Sequence, residues 1–307
     1  MSKSEWLQKV LESSKQKHIE SEMKLHLDKK DAVKNALQGK FGDKMVTNPI
    51  NSGSYAKKTH INQKFDLDFC IPFKYNSFDM LKEMSDKVYK FLKAEYQDTD
   101  LSHVRQQRNS IGMSFRSYDQ KQKKYIELDI DVVPGRELQH NDYTKTYNMN
   151  LYVNADSTSI KTNIKKHIEL ISGKNKERQI IRLLKVLKLS RRMDIKSFLL
   201  ELITIRAFQQ NSLTTGLWEQ LKMTMEFIRD NIQTIALKDP ANSNNNVADS
   251  LTYSQKLNIQ GQFSNILKNI YVDKEDIKTY FPKSIVATGV LFTSDSGASR
   301  LRTNSFG

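Results

Sequence analysis

Apolar residues recur at helical spacing from the start of the chain. Residues 3–41 read as helix: Trp6, Val10 and Leu11 share one face, and Asp28 or Asp31 could open a second run with Ala32, Val33, Ala36 and Leu37. Gly42 and Asn48–Pro49 break that pattern, and the period then changes from 3.6 to 2. Residues 65–73 (FDLDFCIPF) read as a strand limited by Pro72, and 77–96 as an amphipathic helix. Residues 109–115 and 124–134 alternate like strands, with a polar hairpin connection between them. Beyond Pro134 the spacing predicts helices over 174–193, 197–210 and 216–235. The Asn/Ser-rich segment 239–250 reads as an ordered loop between helices, and no internal repeat is visible. This order predicts an α+β chain: a lobe over 1–150 whose twisted mixed sheet is flanked by helices, including the N-terminal one, a helical lobe over 151–290, and a flexible tail over 291–307.

Composition narrows the class without deciding it. The 307 residues, 38% hydrophobic and 27% charged, suit a soluble globular protein with a sizeable core. No apolar run approaches the roughly 18 residues a membrane helix needs, and the charged N-terminal 18 residues lack the apolar core of a secretory signal. No membrane association is expected. Cys70 is the sole cysteine, which excludes an internal disulfide and fits a reducing cytoplasm. One Cys and six scattered His argue against structural zinc. A net charge of +14 favours polyanionic partners, although a Lys-rich solvated surface gives the same balance.

Chemistry concentrates in two places. Asp66 and Asp68 alternate with Leu67 and Phe69, so both carboxylates project from one face of the expected strand. Two like charges so close need a positive group between them, and Mg²⁺ supplies one with oxygen ligands. In IELDIDVVP, Glu127, Asp129 and Asp131 repeat the pattern, though a half-exposed strand would show the same alternation. If the two strands pair, a third carboxylate joins the first two and can hold two metal ions about 3.5–4 Å apart for nucleotidyl transfer. Eleven residues separate Gly53-Ser54 from Asp66, and there glycine allows close backbone approach to a phosphate and Ser54 adds a hydroxyl. The P-loop pattern is absent. In the segment 180–192, Lys185, Lys188 and Arg192 form a basic edge beside an apolar face, which reads either as a phosphate site or as a solvated surface.

Together GSYAKKT (53–59), DLDF (66–69) and LDIDVVP (128–134) resemble the DNA polymerase β-like nucleotidyltransferase superfamily. More narrowly, they resemble the bacterial CD-NTases, cyclic-oligonucleotide synthases related to animal cyclic GMP-AMP synthase and oligoadenylate synthetase. IIRLLKVLKLSRR followed by IKSFLLELI, and DPANSNNNVAD (239–249), are similar to later family segments, so the resemblance spans roughly residues 45–255. It implies an active site in the cleft between two lobes. Asp66 and Asp68 would bind both metals, with Asp131 the third ligand, helping to activate the acceptor hydroxyl; Asp129 is the alternative if the register differs. Gly53, Ser54, Lys185 and Ser197 would hold the donor triphosphate.

The resemblance further implies two Mg²⁺ ions, with Mn²⁺ as a substitute, and ATP or GTP as substrates, pyrimidine nucleotides staying open. The expected product is a cyclic di- or trinucleotide second messenger of CBASS anti-phage defence, acting on a separate effector. A ubiquitin-like conjugating partner at Gly307 is a further expectation. Two departures stand out. Lys57-Lys58 replaces a basic residue followed by glycine, and the zinc module that animal cyclic GMP-AMP synthase uses to engage DNA is missing. Rival readings keep the site as an RNA 3′-end nucleotidyltransferase or reduce it to a non-catalytic nucleotide- or RNA-binding module. Tyr and Asn residues within 141–154 are candidates for base contact.

Overall fold

A computed structural model describes residues 1–64, 66–211 and 215–285. Phe65, the expected tail 291–307 and Gly307 lie outside the described residues. The N-terminal helical stretch divides earlier than its pattern suggests. Helix α1 (Lys3–Ser13) opens with a capping box between Ser2 and Glu5, and α2 (Glu20–Phe41) runs unbroken through Asp28 and Asp31. The break has a tertiary cause. Asn62 Nδ2 donates to Ser13 O at 2.8 Å and Lys15 O at 2.9 Å, and the Asn62 amide donates to Ser14 O at 3.0 Å. These are carbonyls a continuing helix would have used itself.

The sheet follows. Short β1 (Ile50–Asn51) leads into the single turn α3 (Gly53–Ala56), then β2 (Leu67–Phe73), α4 (Leu81–Glu95), β3 (Leu101–Gln106), β4 (Ile111–Asp119) and the long β5 (Lys124–Glu137). Strand β5 is the spine. It runs parallel to β2 over Ile130–Arg136, antiparallel to β4 over 124–132, and antiparallel at its end to a further strand. That strand is β6 (Met149–Val153), reached through α5 (Tyr143–Thr146) and continued by β7 (Thr158–Thr162). The result is a mixed sheet in the order β1-β2-β5-β4-β3, with β6 and β7 extending from β5.

Helices α2 and α4 cover one sheet face, where Phe41, Phe73 and Phe78 meet with Val88, Leu92 and Phe115. On the other face Cys70, Val133, Met149, Leu151 and Ile164 form a smaller core. Because both faces are covered, β2 is buried along its whole length.

The rest is mainly helical: α6 (Ile164–Ile171), α7 (Asn175–Ser190), α8 (Ser197–Gln210), α9 (Leu217–Asn231), the hairpin β8 (Lys238–Asp239) and β9 (Asn242–Asn246), α10 (Tyr253–Val272) and α11 (Asp276–Tyr280). Their core takes in Leu7, Val10 and Leu11 of α1. Trp6 Nε1 ties that helix down by donating to Phe281 O at 2.9 Å. Strands β1, β3, β6, β7 and β8 and helices α3, α5, α6, α10 and α11 have no counterpart in the sequence reading, and the segment expected as a loop over 239–250 contains β9. Among the described residues no helix is long and apolar enough to cross a membrane.

Candidate active site

Parallel pairing of β2 with β5 sets Asp68 directly opposite Asp131. Asp66 lies just before β2, and Asp66 and Asp68 both line a pocket between the sheet and the helical layer. The register also separates the three carboxylates of β5. Asp129 pairs across to Ser114 of β4 and accepts a hydrogen bond from Ser114 Oγ. Glu127 is exposed further along the strand, opposite Arg116. Asp131 is therefore the β5 carboxylate that faces Asp68.

Asp68 is almost fully buried, and its Oδ1 has no hydrogen-bond partner. Burial, then the charges of Asp131 and Asp66, hold its carboxyl well above the usual carboxylate range, while Lys57 and Lys185 pull the other way. Asp131 Oδ1 accepts from Gln107 Nε2 at 3.0 Å, and Ser110 Oγ steadies that amide by donating to Gln107 Oε1 at 3.0 Å.

Gly53 begins α3 with φ +62° and packs straight onto Asp68. The Ser52 amide fastens the loop to β2 by donating to Asp68 O at 2.8 Å. Ser54 lines the pocket, and the first amides of α3 have no acceptor within so short a helix. Two residues past the turn, Lys58 adopts φ +57°, a backbone conformation that suits glycine.

The facing wall comes from α7 and α8. Lys185, Lys188 and Ser197 line the pocket, whereas Arg192 is exposed beyond the end of α7. Burial pushes the Lys188 ammonium down to about 8, with Lys64 and Lys185 adding to the effect. Glu201 of α8 binds Lys57 Nζ at 2.5 Å through Oε2, and through Oε1 meets Thr59 Oγ1 at 3.0 Å and Lys185 Nζ at 3.3 Å. Burial would raise the Glu201 carboxyl, but the charges of Lys57 and Lys185 outweigh it and hold it at about 2. Burial likewise lowers the Lys185 ammonium, against the pull of Glu201.

Gly53, Ser54, Asp66, Asp68, Lys185 and Ser197 thus share one pocket, with Asp131 beside Asp68. Sequence reasoning did not single out Glu201, His60, Asn109 or the His167–Asp239 pair, all of which also line it. His167 Nε2 and Asp239 Oδ1 are 2.7 Å apart, and Asp239 opens the DPANSNNNVAD segment. Burial opposes ionisation of Asp239, but its bond to His167 keeps the carboxyl low. From 141–154 the wall takes Leu151, not the Tyr and Asn residues expected to contact a base.

Among the described residues, no group of three or more His, Cys, Asp or Glu side chains is disposed to hold a metal ion. The carboxylates still suit a hard divalent cation: they offer only oxygen, and Asp68 Oδ1 is a buried acceptor without a donor.

No family model matches the chain, and no curated protein matches it in sequence. Solved structures do match. CdnC of E. coli MS115-1, solved with ATP, is 20% identical with a TM-score of 0.66, over 86% of this chain and 92% of that one. The CdnE cyclic dinucleotide synthase of Elizabethkingia meningoseptica, solved with GTP and Apcpp, is 16% identical with a TM-score of 0.58, over 78% and 91%. The Vibrio cholerae DncV cyclic AMP-GMP synthase, a prokaryotic cGAS homolog, is 14% identical with a TM-score of 0.58, over 76% and 68%. The chain has the fold of the bacterial CD-NTases, the group its motifs resemble.

Proposed function

We propose that this protein is a template-independent nucleotidyltransferase that joins ribonucleoside triphosphates into a cyclic di- or trinucleotide. The observation that carries the reading is the pairing of Asp68 with Asp131 beneath the Gly53–Ser54 turn, with a lysine cluster on the facing wall. That arrangement provides negative charge for cations, close backbone approach for phosphates, and positive charge for the rest of a triphosphate.

Gly53 and Ser54 cradle the donor triphosphate, with Ser197 and the lysine cluster closing the opposite side. A ribose hydroxyl of the second nucleotide attacks the α-phosphorus, a new P–O bond forms, and the bond to the leaving pyrophosphate breaks. Asp131, aligned by Gln107, helps to activate that hydroxyl. Asp66, Asp68 and Asp131 would hold Mg²⁺, with Mn²⁺ as a substitute; when bound, it neutralises triphosphate charge and lowers the hydroxyl pKa. A second transfer in the same pocket closes the ring. ATP and GTP are the proposed substrates, in keeping with the nucleotides held by the similar structures. The biological role that follows is CBASS anti-phage signalling, in which the product acts on a separate effector.

The test is to incubate the protein with Mg²⁺ and all four ribonucleoside triphosphates, treat with phosphatase, and analyse by mass spectrometry. A phosphatase-resistant cyclic product establishes the reading and names the bases. Untemplated extension of a labelled RNA primer, with no cyclic product, would replace it with RNA tailing.

A further inference from the structure

The third carboxylate is held from outside its own strand. Asp131 pairs with Gly112 across β4 and β5, and Gln107, in the turn joining β3 to β4, donates from Nε2 to Asp131 Oδ1 at 3.0 Å. Each polar group of Gln107 is engaged. Its backbone amide donates to Ser110 O at 2.8 Å, its carbonyl accepts from Asn154 Nδ2 at 2.6 Å, and its Oε1 accepts from Ser110 Oγ at 3.0 Å. The last of these bonds decides which way the side chain faces. With a hydroxyl proton on Oε1, the Nε2 donor is turned to the carboxylate.

Two neighbours serve the same contact. A Cβ at residue 112 would stand 2.2 Å from Gln107 Nε2 and 3.2 Å from Asp131 Oδ1, so glycine in β4 leaves the room in which the amide lies. Asn154, just past β6, holds the turn twice, because its backbone amide also donates to Arg108 O at 2.7 Å. The turn itself supplies Asn109 to the pocket wall. A lysine in the place of Gln107 would offset the charge of Asp131. A neutral amide fixes the carboxylate's orientation and leaves that charge for a cation.

We infer that the turn between β3 and β4 is the element that sets Asp131: Gln107 is its positioning residue, and Ser110 and Asn154 hold Gln107 in place. The inference rests on the nucleotidyltransferase reading and names what aligns the third carboxylate within it. The turn is anchored to β4 through Ser110 and to the β6–β7 hairpin through Asn154, so Asp131 is oriented by two parts of the sheet at once.

The test uses the full chain with three readouts: Mn²⁺ binding followed by electron paramagnetic resonance of the free ion, pyrophosphate release from an equimolar mixture of the four ribonucleoside triphosphates, and Tm. Gln107→Met keeps the length of the side chain and removes the donor. It is expected to weaken Mn²⁺ binding and to slow the saturated rate, each about tenfold or more. The half-saturating triphosphate concentration should stay within about threefold, because the interaction lost is not with the substrate. Tm should change little. Ser110→Ala and Asn154→Ala each remove one bond to Gln107 and should lower the same two quantities about threefold. Added to Gln107→Met, neither should lower them further, since both act through Gln107. These two variants serve if Gln107→Met does not fold. Additive losses, or a loss carried by the half-saturating concentration, overturn the inference. If the unmodified protein binds Mn²⁺ and releases pyrophosphate and Gln107→Met matches it in both, the inference fails while the nucleotidyltransferase reading stands. If the unmodified protein does neither, both fail.

Discussion

Gly53 packs so tightly on Asp68 that a Cβ at residue 53 would stand 1.7 Å from Asp68 Oδ2. The phosphate-approaching turn and the buried carboxylate are therefore one unit, and neither can shift alone. Gly53→Ala should push the two apart. Its left-handed φ of +62° adds a strain of about 1–2 kcal/mol to the clash. We expect a lower Tm and a loss of cyclic product of about 100-fold or more, since misplacement by an ångström can cost that much. An initial rate like that of the unmodified protein would show that the turn can move without Asp68.

Lys58 carries the opposite error. It holds φ +57° while exposed to solvent, a conformation that suits glycine and strains a lysine. Lys58→Gly should stabilise the protein by about 1 kcal/mol in urea denaturation, after allowing for the greater freedom of glycine in the unfolded chain. A loss of stability would mean that the Lys58 side chain makes up for its backbone.

These two residues show which information the sequence carries in readable form. Period-two alternation put Asp66 and Asp68 on one face and offered the later carboxylates only as a set, because alternation cannot tell which member of Glu127, Asp129 and Asp131 faces another strand. The register decides it, by giving Asp129 to Ser114 and Asp131 to Asp68. Glu201 sits in the apolar run SFLLELI, where nothing local explains a buried charge; its partners Lys57 and Lys185 are 144 and 16 residues away. Strand β3 was illegible because no residue in it is fully buried, so its polar sequence LSHVRQ shows no two-faced pattern. Helix α10 is another matter. Ile259, Phe263, Ile266 and Ile270 keep a helical period, and the signal was there to be read.

Divalent cations should change stability before any chemistry is assayed. Asp68 is buried beside Asp131 and near Asp66, and the mutual repulsion of these carboxylates is relieved when a cation sits among them. Added Mg²⁺ is expected to raise the Tm of the unmodified protein, by linkage to the folded state. Asp68→Asn should itself raise Tm without Mg²⁺, by removing a buried like charge, and should blunt the response to the ion. A full Mg²⁺ response in Asp68→Asn would place the cation elsewhere.

Acid should act on the same turn through His60. Burial brings its imidazole down to about 4 from 6.5, with Lys185 and Arg182 adding to the effect against a hydrogen bond to the Ser54 backbone. Its Nδ1 is buried without a partner, and its ring lies on Tyr55 with centroids 5.5 Å apart. As pH falls below 6.5 the unfolded chain takes up the proton first, so the folded state loses ground. The contribution of His60 is complete above about pH 6.5 and is lost progressively toward pH 4, a change of roughly 3 kcal/mol. His60→Phe keeps the ring contact and removes the proton. Urea denaturation of the two proteins between pH 7 and pH 4 should diverge in slope, with the His60→Phe curve the flatter. Parallel curves would mean that His60 is protonated in the folded protein as readily as in the unfolded chain.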